Sequence, residues 1–171
     1  MNNPIRDEFL VFGAPAIEEP EINEVLDSLH TGWLGSGPKV AQFESDFAAF
    51  KGTEHAVALN SCTAALHLSI IAAGIKTGDE VITTPITFCA TVNAIIHAGA
   101  TPILADVDPA TMNIDPNQIE AKITPKTKAI LPVHFAGRAC EMDAICDIAR
   151  RHNLKIIEDC AHAIETEYHG K

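Results

Sequence analysis

Positive charge is scarce in this 171-residue chain: 12 Lys and Arg stand against 23 Asp and Glu, for a formal net charge of −11. Nucleic-acid binders normally carry a basic face or stripe, so no nucleic-acid partner is expected. A small anion held by a few local donors is not excluded. Long apolar runs are also missing, and none approaches membrane-spanning length. The start, Met1-Asn2-Asn3-Pro4-Ile5-Arg6-Asp7-Glu8, lacks the basic and apolar regions of a secretory signal. The expectation is a cytoplasmic protein with no membrane segment. No C-x-x-C pair occurs among Cys62, Cys89, Cys140, Cys146 and Cys160. Four of the five sit among apolar neighbours, where a small thiol packs well, and the set is read as reduced and mostly structural. There is no internal repeat, no low-complexity linker, and no H-E-x-x-H, G-x-S-x-G or P-loop pattern.

What the chain has is a regular alternation. With 47% hydrophobic residues it can bury a real core. Short, mostly apolar runs at residues 55–59, 80–84, 101–107, 129–134 and 155–159 read as strands. Helical stretches at 64–73, 89–98, 116–122 and 141–152 lie between them. Ahead of these, Glu18 to His30 carries Ile22, Val25, Leu26 and Leu29 at helical spacing and stops at Thr31-Gly32. Pro38 suits the first turn of a second helix, with Val40, Phe43, Phe47 and Phe50 as its apolar stripe. Strands that are apolar on both faces imply helices on both sides. The expected fold is therefore an α/β three-layer sandwich with a mainly parallel sheet.

Ligands of such sheets collect at the carboxyl ends of the strands. After the first run, Asn60-Ser61-Cys62-Thr63 opens a helix whose free N–H groups could hold a phosphate; plain N-capping by Ser61 or Thr63 is the alternative. Phe88, after the second, could cover a flat ring or simply pack under the following helix. Asp159 ends the fifth run, where a carboxylate is costly to desolvate unless it meets a cationic partner. His162 is three residues on. Asp159 and His162 as metal ligands would need a third group, which the spacing does not supply, so no metal is expected. His134 follows the fourth run, with a satisfied core histidine as its default. The Gly32-Trp33-Leu34-Gly35-Ser36-Gly37 loop follows a helix rather than a strand, unlike a dinucleotide loop. A phosphate on the Cys62–Thr63 helix start, a ring under Phe88 and a protonated ring nitrogen on Asp159 together describe pyridoxal 5'-phosphate (PLP).

Gly32-Trp33-Leu34 with Gly37-Pro38 and Phe43-Glu44, Asn60 through Leu68, Thr87-Phe88, Pro132-Val133-His134 and Glu158 through Ala163 occur in an order that resembles the DegT/DnrJ/StrS family of PLP-dependent sugar aminotransferases. The resemblance runs from about Phe12 to the end. It implies the large domain of the fold type I PLP transferases, with residues 1–52 as N-terminal helices and a substrate and dimer loop, and residues 53–171 as part of the PLP-binding domain. It further implies a homodimer, glutamate as amino donor and a keto sugar, usually nucleotide-linked, as acceptor.

Matched position by position, Cys62 and Thr63 bind the cofactor phosphate, Phe88 stacks on its ring, Asp159 pairs with its ring nitrogen and His162 lies beside its phenolic oxygen. Trp33 and His134 are candidates to face substrate. Cys62 stands where the family commonly has glycine, and Glu165-Thr166 where it usually has glycine and a small residue. The family's Schiff-base lysine lies beyond the Asp-x-x-His segment. Lys171, the only lysine after Asp159, sits in Tyr168-His169-Gly170-Lys171, which matches a surface turn instead. The 171 residues are therefore expected to be a truncated, catalytically inactive piece. They are also expected to lack two strands that separate the first strand from the fifth, leaving the 55–59 strand without its neighbour. A non-catalytic binding relative and a PLP-dependent sugar dehydratase are the competing readings.

Overall fold

The structure is a computed structural model that describes Phe9 and residues 13–170. The chain divides into two compact units, Met1–Ala58 and Leu59–Lys171.

The first unit holds two helices, α1 (Glu19–Thr31) and α2 (Pro38–Lys51). A capping box starts α1: the Glu18 N–H donates to the Glu21 carboxylate at 2.8 Å. It stops at Gly32, whose φ of 71° is the left-handed conformation that closes a helix. Pro38 opens α2 at its first turn, as expected. Lys39 joins the helices by pairing with Glu24 and, at 3.0 Å, with Asp27. Trp33 in the connecting loop lies directly over Gly37, where an added Cβ would fall 1.7 Å from the indole nitrogen. A side chain there would require the indole to move.

The second unit contains α3 (Cys62–Ala72), β1 (Glu80–Thr83), α4 (Cys89–His97), β2 (Thr101–Leu104), α5 (Pro116–Glu120), β3 (Thr127–Leu131), α6 (Met142–His152) and β4 (Lys155–Ile156). The four strands form one parallel sheet in the order β2-β1-β3-β4. Side chains alternate across it. Val81, Ala129 and Leu131 face one way and join Leu66 and Ile70 of α3 and Ala94 and Ile95 of α4. Ile82 and Ile130 face the other way and join Ile119 of α5 and Ile145, Ile148 and Ala149 of α6. This is the expected three-layer sandwich, with β1 and β3 at its centre.

Several boundaries differ from the sequence reading: β2 ends at Leu104 rather than residue 107, β3 spans Thr127–Leu131 rather than 129–134, and two segments depart further. Residues 155–159 carry only a two-residue strand, yet Ile157 N–H bonds Ile130 at 3.1 Å and Asp159 N–H bonds Pro132 at 2.9 Å, so the segment follows β3 to its end. Residues 55–59 are not a strand. Val57 is 76% exposed, and among the described residues no strand offers this segment a ladder. A β-strand exists only through its partner, and an apolar composition cannot replace one.

Ile130 is fully buried in the central strand. Ile130→Ala should cost about 2–5 kcal/mol, read as a lower urea midpoint with unchanged slope. A cost under about 0.5 kcal/mol would mean the β3 face is not a packed core.

Candidate functional site

The chain leaves β1 towards β2 on one side and then crosses back over β1 to β3 on the other. That reversal opens a crevice at the carboxyl ends of β1 and β3, the usual ligand position in such sheets. Thr84 to Phe88 follow β1 and His134 to Gly137 follow β3. Asp159 reaches the same level through its parallel bridge to Val133. An open pocket of about 670 Å³ there is lined by Pro85, Ile86, Thr87, Phe88, Phe135, Ala161 and His162.

Phe88 is 76% exposed on this pocket. It does not pack under α4, so an open ring face remains available. His162, also exposed, shares the lining. Asp159 is buried, at 4% exposure. Its partners among the described residues are neutral: the Thr91 hydroxyl donates to Oδ2 at 2.7 Å, the Ala161 N–H donates to Oδ1 at 3.1 Å, and the Cys62 thiol lies 3.9 Å from Oδ1.

Cys62 and Thr63 form the first turn of α3. Ser61 caps it by accepting from the Ala64 N–H at 3.2 Å, and the first backbone bond runs from Ala65 to Ser61. The Cys62 and Thr63 N–H groups therefore have no intrahelical acceptor. Ser61 uses one donor and leaves two, so the cap does not preclude an anion at this helix start. Burial, followed by the Asp159 charge, raises the Cys62 thiol above its ordinary value, so it stays protonated.

His134 is buried away from the pocket lining and makes two contacts that define its state. Its Nδ1 accepts the Cys140 N–H at 3.1 Å, and its Nε2 meets Glu158 at 2.9 Å. Side-chain hydrogen bonds to Cys140, Cys160 and Glu158 would push the imidazole up to about 11. The geometry opposes this, since an N–H can donate to Nδ1 only if that nitrogen keeps its lone pair. Nor does the Cys140 thiol act as an anion: it donates to the Val133 carbonyl at 3.2 Å. The ring is neutral, with its proton on Nε2, as a satisfied core histidine. His134, Glu158 and Cys160 do bring three metal-ligating groups within 4.8 Å. Sequence spacing gave no hint of this trio. A metal on Nε2 would require both ring nitrogens to act as lone-pair donors at once, so we read the cluster as a hydrogen-bonded pair beside a thiol.

Two contributors were not singled out in the sequence. Thr91, on the apolar face of α4, holds Asp159; a hydroxyl among Ala90, Ala94 and Ile95 was the available signal. Asn113, at 4% exposure, accepts from the Phe135 N–H and donates to the Arg138 and Ala139 carbonyls, each at 3.0 Å. Nothing local in the sequence marks it. The Glu165-Thr166 departure acquires a role as well: the Thr166 hydroxyl donates to the Gly137 carbonyl at 2.7 Å and ties the turn after His134 to the segment after His162. Trp33 belongs to the other unit, where its indole donates to the Ser36 carbonyl at 3.0 Å. Lys171 lies outside the described residues.

Residues 15–171 match the model of the DegT/DnrJ/EryC1/StrS aminotransferase family. The chain belongs to that family. It is 57% identical over 163 residues to the spore coat polysaccharide biosynthesis protein SpsC of Bacillus subtilis, a match covering 95% of this chain and 42% of SpsC. It is 48% identical over 159 residues to GDP-perosamine synthase of Caulobacter vibrioides, covering 92% and 43%. Among solved structures it resembles NtdA of Bacillus subtilis with bound cofactor PMP, with a TM-score of 0.82 at 40% identity, over 86% of this chain and 35% of that one. The chain thus spans under half the length of these relatives.

Asn113 clamps the loop that carries Phe135. Asn113→Ala leaves three partly buried backbone groups without partners and should cost about 1–3 kcal/mol. Amide exchange at residues 135–139 should quicken in step. Unchanged exchange there would show that the loop is held by something else.

Proposed function

We propose that the chain is the cofactor-binding part of a cytoplasmic, homodimeric, PLP-dependent aminotransferase that moves an amino group from glutamate to a nucleotide-linked keto sugar, in the formation of a polysaccharide, lipopolysaccharide or antibiotic sugar. The single observation that carries the cofactor reading is the buried Asp159 carboxylate, which has neutral donors and no cation among the described residues. A buried anion in that condition calls for a cationic partner, and a protonated pyridine nitrogen is one.

The donor set fits the rest of the cofactor. The free Cys62 and Thr63 N–H groups suit its phosphate and the exposed face of Phe88 suits its ring. His162, in the same pocket lining, suits the phenolic oxygen. Bound there, PLP would supply an electron sink for negative charge developing at the substrate carbon. The residues of this chain would hold and orient it, and Asp159 would keep the ring-nitrogen proton in place.

The substrate reading draws support from the relatives' names, which speak of a polysaccharide and of GDP-perosamine. The homodimer reading draws support from family membership and from Ile22, Val25 and Leu29 on α1, each more than 40% exposed. Trp33 and His134 are kept as substrate-facing candidates, with His134 the weaker because it is buried and already bonded at both nitrogens. Among the described residues no helix is long and apolar enough to cross a membrane.

The test uses the full-length protein with PLP. A visible absorbance band abolished by borohydride, together with 2-oxoglutarate formed from glutamate only when a nucleotide-linked keto sugar is present, is expected. Asp159→Asn should lower turnover on the order of 100-fold, the scale for losing one preorganised electrostatic partner. Residues 1–171 alone should form no borohydride-sensitive band, because the Schiff-base lysine of this reading is not Lys171. A full-length protein with no band would favour a non-catalytic relative. A band with loss of water from the sugar and no amino transfer would favour the dehydratase.

A further inference from the structure

We infer that Thr91 and Thr87 are positioning residues, a directed pair of hydroxyls that fixes the Asp159 carboxylate for the cofactor's ring nitrogen; this rests on the PLP reading above. Thr91 is fully buried on the inner face of α4. A threonine within a helix commonly returns its hydroxyl to a carbonyl of the preceding turn. Here it reaches out of its helix instead and donates to Asp159 Oδ2 at 2.7 Å, across 68 residues of sequence.

The direction of the chain follows from proton counting. Thr87 Oγ1 and Thr91 Oγ1 are 2.7 Å apart, and by distance either could donate. A carboxylate only accepts, so the single hydroxyl proton of Thr91 is committed to Asp159. Thr87 must then donate to Thr91. Each hydroxyl polarises the next, which strengthens the bond to the carboxylate. The branched side chain of Thr91 has few rotamers in a helix, so the donor cannot readily swing away.

The consequence is a carboxylate fixed from two sides. Oδ1 is held from its own loop by the Ala161 N–H and Oδ2 from α4 by Thr91. Thr87 lines the pocket next to Phe88. The residue assigned to the cofactor ring's face and the residue assigned to its nitrogen are therefore joined through two hydroxyls. Thr91→Val would keep the shape of the side chain, remove the one side-chain donor on Oδ2 among the described residues and free the carboxylate to turn.

The experiment uses the full-length protein loaded with PLP labelled with ¹⁵N in the ring, whose chemical shift reports protonation of that nitrogen. Thr91→Val should move the signal towards unprotonated pyridine and weaken PLP binding about 10- to 100-fold, as expected for a lost hydrogen bond to a charged group. Thr91→Ser should restore both. Thr87→Val should shift the signal the same way by less. A folded Thr91→Val protein with wild-type signal and affinity overturns the inference, as does one that merely loses thermal stability. Should Thr91→Val not fold, an unshifted signal in Thr87→Val overturns it. A wild-type protein that takes up no PLP sinks the cofactor reading itself, a different failure from one in which the wild type binds and the threonine variants behave like it.

Discussion

Asp159 is a carboxylate taken out of water and, among the described residues, met by neutral donors alone. Burying a charge is tolerable only when hydrogen bonds and an opposite charge replace the lost hydration. Much of the second unit serves that condition. The parallel bridge to Val133 sets the depth at which the side chain leaves the backbone. α4 delivers Thr91, the 160–163 turn delivers the Ala161 N–H, and the first turn of α3 brings the Cys62 thiol alongside. Three segments far apart in sequence meet at one side chain.

The sheet makes that meeting possible. Because β1 is flanked by β2 on one side and β3 on the other, the segments after β1 and β3 diverge and leave a gap between them. The apolar clusters on the two faces hold α3 and α4 on one side and α5 and α6 on the other, so the gap is bounded by rigid elements. Its loops are tied with specific bonds. Asn113 takes three backbone partners in the 135–139 loop, and Thr166 ties that loop to the turn after His162.

The sequence made the layers legible because each strand is apolar on both faces and each helix on one, and only a parallel sheet between helix layers satisfies both patterns. It marked Asp159 as a carboxylate closing an apolar run, and left Phe88 between covering a ring and packing under the next helix, of which its exposure excludes the second. It misled at residues 55–59. Their composition is that of a buried strand, but strand formation is a property of pairs, and composition carries no information about whether the neighbour is present. Thr91 and Asn113 escaped for a related reason. Their value lies in partners 68 and 22 residues away, and a single threonine in an apolar helix or asparagine in a loop looks ordinary until those partners are folded against it.

The cysteine at position 62 shows how a departure from family pattern can leave a site intact. A side chain on the first turn of α3 is expected to crowd a phosphate placed there. Here the thiol is directed to Asp159, and the N–H groups that would meet a phosphate belong to the backbone and stay free. Desolvation and the neighbouring carboxylate both favour the neutral thiol, so no second negative charge enters the pocket. In a helix, cysteine is also less costly than glycine, which loses more backbone freedom on folding. The substitution therefore adds a weak donor beside the buried carboxylate and removes none of the donors from the helix start.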